Sequence, residues 1–348
     1  FRGKAKDIYA KWKKLADYEN DSTSDRNAPW MERINTIRGY VEEFKDNIEE
    51  INERWFKEYR TFWGTMIPDN RIIYDTTLSL WYRRYFRNKI ENGEVKTVCL
   101  VRDRNLGDVV MTEPIAKFLS KYVDNVYLAT DIDEVGLIFN TYDNIYQYKN
   151  INSTNINCDA KIKLIYELSD NKKSCIQGYM DSIGFSGVTN NDIPKINQEW
   201  ENIINEEYIL LAPFTSSWEE QKRNWGYEKY KQLQSLLEDK FMVKCVILEN
   251  EYSFQKMMSL IRHCKFFVGN DSGPAIIAQS LFKKSFIIFG ATSPKYLHLS
   301  DNATPIYDDK RHSLCNHKTR QEEIECCEDF CMERIRVNDV FEKIIKSV

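Results

Sequence analysis

The chain has 348 residues, of which 42% are hydrophobic and 29% charged, and its formal net charge is -4. This composition is typical of a soluble globular protein with room for two domains, and the negative charge argues against a generally basic nucleic-acid binder. The sequence has no apolar run of the roughly 18 residues that a membrane span needs and no signal-peptide pattern, so we expect a cytoplasmic location.

Residues 1–93 have a helical pattern and lack a strand pattern. In the clearest segment, Trp30 to Trp63, apolar residues recur at three- and four-residue steps. From Trp81 to Arg87 basic and aromatic residues alternate. This pattern fits a surface for nucleic acid or anionic lipid, but inward packing of the rings is the favoured interpretation. We expect this helical region to position an acceptor or to form a homo-oligomer.

Strand and helix patterns alternate in the remainder of the chain, which is typical of α/β domains with parallel sheets. We predict an N-terminal Rossmann-like domain at residues 94–196, a C-terminal one at residues 206–336 and a final helix at 337–348. The predicted strands are Thr97 to Val101, Val126 to Ala129, Ile145 to Tyr148, Tyr208 to Pro213, Met242 to Leu248, Phe266 to Val268 and Ser285 to Phe289.

Two turns, each between a strand and a helix, are the candidate site. Asn105-Leu106-Gly107-Asp108 lies in the first domain and Asp271-Ser272-Gly273-Pro274 in the second. A helix N-terminus favours a phosphate-bearing ligand, and the two glycines permit its close approach. The absence of G-x-G-x-x-G argues against a nicotinamide enzyme. Asp108 is either a carboxylate that helps to start the helix, which spacing alone favours, or a general base.

Hydroxyl and basic side chains follow the strand that begins at Tyr208. They are Thr215, Ser216, Lys222 and Arg223, and with Asp271, Ser272, Gly273 and Pro274 they form the candidate diphosphate site. Glu249 and Glu251, after the next strand, are weaker candidates for contacting a nucleoside.

Four cysteines cluster in an insert at residues 312–331: Cys315, Cys326, Cys327 and Cys331. They suit a disulfide or a structural metal, zinc or iron, although paired C-x-x-C spacing is missing.

These stretches together resemble glycosyltransferase family 9, the heptosyltransferase-like enzymes of the GT-B fold, from about Lys96 to Val348. The motifs that carry the resemblance are Arg102 with Leu106 to Pro114, then Arg223-Asn224-Trp225, Asp271 to Ala278 and Phe289 to Pro294. The resemblance implies metal-independent, inverting transfer from a nucleotide-diphosphate sugar, with Asp108 as the catalytic base. It also implies that Ser272, Gly273 and Pro274 form the diphosphate loop and that the chemistry requires no cofactor. The cysteine cluster resembles a C-terminal segment of some relatives, which in part of the family holds a metal.

Three positions depart from the family pattern. Arg223 stands where a lysine is usual, Ile276 near the place of a histidine, and Leu248 to Glu251 where a small glycine-rich segment is common. The second and third departures argue against assuming ADP-heptose as the donor, whereas arginine in place of lysine preserves the charge and changes the geometry.

The acceptor stays open. A surface glycan or lipid-linked saccharide is favoured, and a protein hydroxyl and a modified nucleic-acid base are the alternatives. A non-catalytic protein that binds a nucleotide sugar or nucleic acid is the alternative of another class.

Overall fold

The computed structural model describes residues 87–102, 105–132, 134, 136–139, 142–148, 158–164, 166, 174–185, 192–215, 223–290, 292–294, 300–308 and 331–348. The helical predictions for residues 1–86 lie outside this part of the chain, and so does most of the stretch from Trp81 to Arg87. A helical turn at residues 87–91 leads into the first sheet.

The first sheet has four parallel strands in the order β3-β2-β1-β4. These strands are β1 (Thr97–Val101), β2 (Asn125–Ala129), β3 (Ile145–Tyr148) and β4 (Ala160–Lys163). Four of the five residues of β1 are buried, as expected for a central parallel strand covered on both faces. The order changes direction between β1 and β4, which is where open α/β sheets place ligands.

The second sheet has five parallel strands in the order β6-β5-β7-β8-β9. They are β5 (Tyr208–Ala212), β6 (Lys244–Ile247), β7 (Phe267–Asn270), β8 (Ser285–Ile288) and β9 (Ala303–Ile306). All residues of β5, β7 and β8 are buried. The strand order of this second sheet changes direction between β5 and β7.

The described helices connect and cover these strands. They are α1 (Leu106–Val110), α2 (Glu113–Leu119), α3 (Gly136–Phe139), α4 (Cys175–Ser182), α5 (Tyr227–Phe241), α6 (Phe254–His263), α7 (Gly273–Ser280), α8 (Cys331–Arg334) and α9 (Val337–Ser347). None of them is long and apolar enough to cross a membrane. A capping box of Ser174 and Gln177 fixes the start of α4, and the Ser253 hydroxyl accepts from the backbone N–H of Lys256 at the start of α6.

Residues 192–207 connect the two sheets without helix or strand. The N–H of Lys195 donates to Glu113 Oε2 at 3.3 Å, and the N–H of Ile196 donates to the carbonyl of Ser280 at 3.0 Å. One cluster of buried apolar side chains includes residues of both sheets, among them Leu100 in β1 and Leu210 in β5. The segment is therefore bonded to helices α2 and α7 at once, over a core that the two sheets share.

The prediction of two parallel α/β regions of the GT-B type is confirmed, and each of the seven predicted strands is present within two residues of its expected ends. Strands β4 and β9 were not predicted. β4 is only four residues long and alternates Lys with apolar residues, and β9 contains Pro305. Short strands with lysine or proline give a weak sequence signal, since both residues are rare in central strands.

Candidate active site

The carboxylate of Asp108 lies at the centre of a buried cluster at the carboxyl ends of β1 and β4. Its Oδ1 accepts from the Tyr166 hydroxyl at 2.7 Å, and its Oδ2 accepts from Arg102 Nη2 at 2.9 Å and Asn105 Nδ2 at 3.2 Å. Asp108 is only 8% exposed, yet the nearby guanidinium compensates its charge. Three side chains thus converge on this carboxylate, and its role as a general base stays a prediction.

Arg102 is held in place by three further contacts. Its Nη1 donates to the carbonyl of Leu164 at 3.1 Å, and its guanidinium carbon lies 5.1 Å from the ring centroid of Tyr166 and 5.4 Å from that of Tyr179. The two rings meet edge to face at 5.1 Å. Arg102 and Tyr166 closely follow β1 and β4, so the pairing of these strands brings both to Asp108.

A second cluster lies at the carboxyl ends of β5, β7 and β8. Asp271 is 3% exposed, accepts a hydrogen bond from the Thr292 hydroxyl, and lies 3.9 Å from Arg223 Nη2. Behind it, Asn270 Oδ1 accepts from the Tyr230 hydroxyl at 3.0 Å and from the N–H of Trp225 at 3.3 Å. These contacts hold Arg223 and its neighbours beside the N-terminus of α7.

The start of α7 has the form of an anion site. Ser272 is the N-cap, and its hydroxyl donates to the carbonyl of Asn270 at 3.2 Å and does not cap the first helical turn. Pro274 occupies the second helical position, where its missing N–H costs nothing. Among the described residues no acceptor receives the N–H of Gly273, and α7 directs the positive end of its dipole there, which suits an anion.

The two clusters meet at their glycines. A Cβ on Gly107 would lie 3.2 Å from the Cα of Gly273 and 3.2 Å from Cγ1 of Ile276. A Cβ on Gly273 would lie 3.3 Å from the backbone nitrogen of Gly107. The N-terminal turns of α1 and α7 are therefore in backbone contact, and Asp108 directly follows the glycine that touches the start of α7.

The other predicted site residues have fewer described contacts with the two clusters. Thr215 is buried just after β5, whereas Ser216 and Lys222 lie outside the described residues. Glu249 is half-buried and Glu251 is exposed, in a turn after β6. That turn is on the same edge of the sheet as Asp271, since β5, β6 and β7 are parallel.

The predicted metal ligands Cys315, Cys326 and Cys327 lie outside the described residues, and of Cys331 only the backbone is described, at the start of α8. Within the described part of the chain, no three His, Cys, Asp or Glu side chains are arranged to hold a metal ion. The cysteine cluster therefore stays a prediction.

Sequence reasoning did not assign roles to the residues that support these clusters. The motifs include Arg102 and Thr292 and directly follow Asn270, whereas Tyr166 and Tyr179 lie outside them. For most of them the available signal was a place at or just after the end of a strand, which for Tyr166 depended on recognising β4.

The comparison with protein families connects this geometry to a known class. The model of glycosyltransferase family 9 (heptosyltransferase) matches residues 159–326. The chain carries a glycosyltransferase family 9 domain. The match includes β4, Tyr166 and the whole Asp271 cluster, whereas β1 and Asp108 precede it. The protein is thus a glycosyltransferase of the class that uses nucleotide sugars.

Solved structures of glycosyltransferases share the fold of this chain. The iron-containing dodecameric glycosyltransferase TibC from enterotoxigenic E. coli H10407 is 15% identical, with a TM-score of 0.55 over 73% of this chain and 77% of TibC. TibC in complex with ADP-D-β-D-heptose gives 12% identity and a TM-score of 0.56 over 72% and 76%. The E. coli heptosyltransferase WaaC with ADP gives 11% identity and a TM-score of 0.50 over 72% and 100%. No curated protein sequence matches this chain.

Proposed function

We propose that the protein transfers a sugar from a nucleotide-diphosphate sugar to an acceptor hydroxyl with inversion at the anomeric carbon. The observation that carries this proposal is the contact between Gly107 and Gly273, which brings a buried carboxylate next to an open helix N-terminus. A base and a diphosphate site side by side are what a displacement at the anomeric carbon requires.

In this reaction Asp108 is the general base. It takes the proton of the acceptor hydroxyl as the acceptor oxygen bonds to the anomeric carbon. The bond from that carbon to the diphosphate oxygen breaks, and its electron pair leaves with the nucleotide. A positioned base of this kind contributes about 10²- to 10⁴-fold to the rate.

The diphosphate is assigned to the N-terminus of α7 and to Arg223. The N–H of Gly273 and the helix dipole suit an anion, and Arg223 adds a guanidinium that binds phosphate in a bidentate manner. Asp271 is negatively charged, as the diphosphate is, so we assign it no contact with the ligand. Its proposed role is to hold Arg223 and Thr292 in place. Thr215, Ser216 and Lys222 are proposed to complete the phosphate site, and Glu249 or Glu251 to contact the nucleoside.

An adenine nucleotide is the first donor to test, because the TibC and WaaC complexes contain ADP-heptose and ADP. The favoured acceptor is a surface glycan or a lipid-linked saccharide, with a protein hydroxyl or a modified nucleic-acid base as the alternatives. A structural zinc or iron at Cys315, Cys326, Cys327 and Cys331, and self-association through residues 1–93, are proposed as additions to this function. The chemistry itself is proposed to need no metal.

A thermal-shift panel with ADP-, UDP-, GDP- and CMP-sugars tests the donor. A nucleotide sugar at one hundred times its Kd stabilises the fold by about 2.7 kcal/mol, so the true donor is expected to raise the Tm clearly above the others. A folded protein that responds to none of them would contradict the proposal. Salt-sensitive binding of DNA or RNA without any nucleotide response would favour the nucleic-acid binder instead.

Asp108→Asn tests the base once the donor is known. We expect transfer to fall by about 10²- to 10⁴-fold with little change in donor affinity. Asp159→Asn is the matched control, since Asp159 accepts from the N–H groups of Lys96 and Thr97 at the opposite end of β1. Unchanged turnover in Asp108→Asn would remove this residue from the base role.

Arg223→Gln tests the phosphate site. The loss of one charged hydrogen-bond partner is expected to raise the KM for the donor about 10- to 100-fold. Arg262→Gln is the control, because Arg262 on α6 pairs with the exposed Glu199. We also expect EDTA to leave the transfer step active, and a strict requirement for added Mg²⁺ would contradict the metal-independent mechanism.

A further inference from the structure

The two oxygens of the Asp108 carboxylate have different partners. Oδ2 accepts from the cation of Arg102 and from the amide of Asn105, whereas Oδ1 accepts from the neutral hydroxyl of Tyr166. A guanidinium draws negative charge toward the oxygen that it contacts, and a neutral phenol does so less. By these described contacts Oδ1 is the more basic oxygen of the pair, and among the described residues Tyr166 is the one that bonds to it.

Tyr166 is itself fixed from two sides. Its ring packs against the guanidinium of Arg102 and against the ring of Tyr179, and Tyr179 donates through its hydroxyl to the backbone carbonyl of Asp108 at 3.1 Å. Tyr166 is 4% exposed, and Tyr179 is fully buried. Because these contacts hold the ring, the Tyr166 hydroxyl helps to set the rotation of the carboxylate, together with Arg102 and Asn105 at Oδ2.

We propose that Tyr166 is a positioning residue, whose hydroxyl orients Asp108 and directs Oδ1 to receive the proton of the acceptor hydroxyl. This inference rests on the proposed role of Asp108 as the base. As the acceptor oxygen bonds to the anomeric carbon, its proton moves to Oδ1, and the Tyr166 hydroxyl stays bonded to the same oxygen throughout. A phenol both donates and accepts, so it remains a partner when Oδ1 becomes protonated.

The charged and titratable groups around the carboxylate come from several elements. Arg102 follows β1, Tyr166 follows β4 and Tyr179 lies on α4, while α7, which packs against α1, carries no titratable side chain. The next carboxylate along the chain, Glu113, bonds to Tyr142 instead. The Tyr166 hydroxyl bonds to the carboxylate and can be removed with neither a change of charge nor a loss of ring packing.

Tyr166→Phe is the direct test, and Tyr179→Phe is its matched control. Both changes delete one hydroxyl from neighbouring rings, but only the Tyr166 hydroxyl bonds to the carboxylate. In Tyr166→Phe we expect kcat to fall about 10- to 100-fold with the KM for the donor unchanged, since one hydrogen bond to a charged group is lost. The acid limb of the rate profile moves to higher pH, because a carboxylate that loses a donor is a stronger base. Tyr179→Phe is expected to leave the acid limb in place.

A second measurement does not require turnover. In protein labelled with ¹³C at the aspartate carboxyl groups, the Asp108 signal is identified by its loss in Asp108→Asn and followed against pH. Tyr166→Phe is expected to move its titration to higher pH. Replacement of Tyr166 by 3,5-difluorotyrosine keeps the ring and strengthens the donor, so it is expected to move the titration to lower pH.

The outcomes separate this inference from the proposed function. If Asp108→Asn keeps full turnover, the base role itself is wrong. If Asp108→Asn is inactive while Tyr166→Phe changes neither kcat nor the titration of Asp108, the base role stands and Tyr166 is not its positioning residue. If Tyr179→Phe shifts the acid limb as much as Tyr166→Phe does, the effect belongs to packing in the cluster, and the proposal is overturned.

Discussion

The α-carbon of Gly273 lies so close to Gly107 that a side chain there would be crowded: a Cβ built on Gly107 would be 3.2 Å from it. The two residues are far apart in sequence and lie at the starts of helices that follow strands of different sheets, α1 after β1 and α7 after β7. Close packing of two helix N-termini leaves space for backbone only, and this brings the carboxylate of Asp108 to the proposed diphosphate site.

Gly107→Ala is expected to destabilise the protein by about 1–3 kcal/mol, because the added methyl group overpacks this contact. The free energy of unfolding in urea measures the effect. When the comparison is made in an Ile276→Ala background, which lacks the Cγ1 atom at 3.2 Å, we expect Gly107→Ala to cost less but still to destabilise, since the contact with the Gly273 backbone remains. Full tolerance of alanine at residue 107 would show that the two turns separate easily.

Asn270→Ala is expected to cost several kcal/mol of stability, at about 1–3 kcal/mol for each buried group left without a partner. Asn270 is fully buried, donates to the carbonyl of Pro213 at 2.7 Å, and accepts from Trp225 and Tyr230. Tyr230→Phe removes one of these bonds and keeps the ring, so it is the milder control. An equal loss in both variants, measured by urea unfolding, would mean that the other two bonds contribute little.

Glu113 is expected to make stability depend on pH. Burial raises its pKa above the ordinary 4.5, against the lowering effect of the hydrogen bond from Tyr142. A carboxyl group whose pKa is raised on folding binds its proton more tightly in the folded state, so its contribution to stability falls as the pH rises from 4.5 through the raised pKa. We expect the unfolding free energy of the wild type, relative to Glu113→Gln, to decrease over this range by at most about 1.4 kcal/mol per pH unit. The same change at the exposed Glu342 is the control, and a difference that does not vary with pH would contradict the prediction.

Cys158 is expected to be a reactive thiol near neutral pH. A hydrogen bond from the Cys99 thiol, against the raising effect of burial, lowers the pKa of Cys158 to about 7, and Lys161 contributes to the lowering. Its alkylation by iodoacetamide, followed by peptide mass spectrometry, should therefore have its midpoint near pH 7. Burial raises the pKa of Cys245 and of Cys264 to about 12, so their peptides should stay unmodified.

Two variants test the cause of this reactivity. Cys99→Ala removes the donor and should move the Cys158 midpoint toward its ordinary value of 9.0. Cys245→Ala should leave the midpoint unchanged, because Cys245 lies on β6 in the second sheet. A wild-type midpoint near 9.0 would mean that Cys99 does not donate to Cys158 in solution.

The sequence by itself determined the two parallel sheets and the two turns that begin α1 and α7. The reason is local: buried parallel strands are continuous apolar runs, and the turns between strand and helix need glycine, a capping residue or proline at given positions. Gly107, Asp108, Ser272 and Gly273 could therefore be selected from the order of residues alone.

Only the tertiary structure decided which residues surround the two turns. The pairing of β4 beside β1 brings Tyr166 and the Leu164 carbonyl to Arg102 and Asp108, from about sixty residues further along the chain. The shared core brings Gly273 against Gly107, and their backbones approach closely because neither glycine has a side chain. Contacts of this kind depend on strand order and packing, and no local pattern of residues encodes either of them.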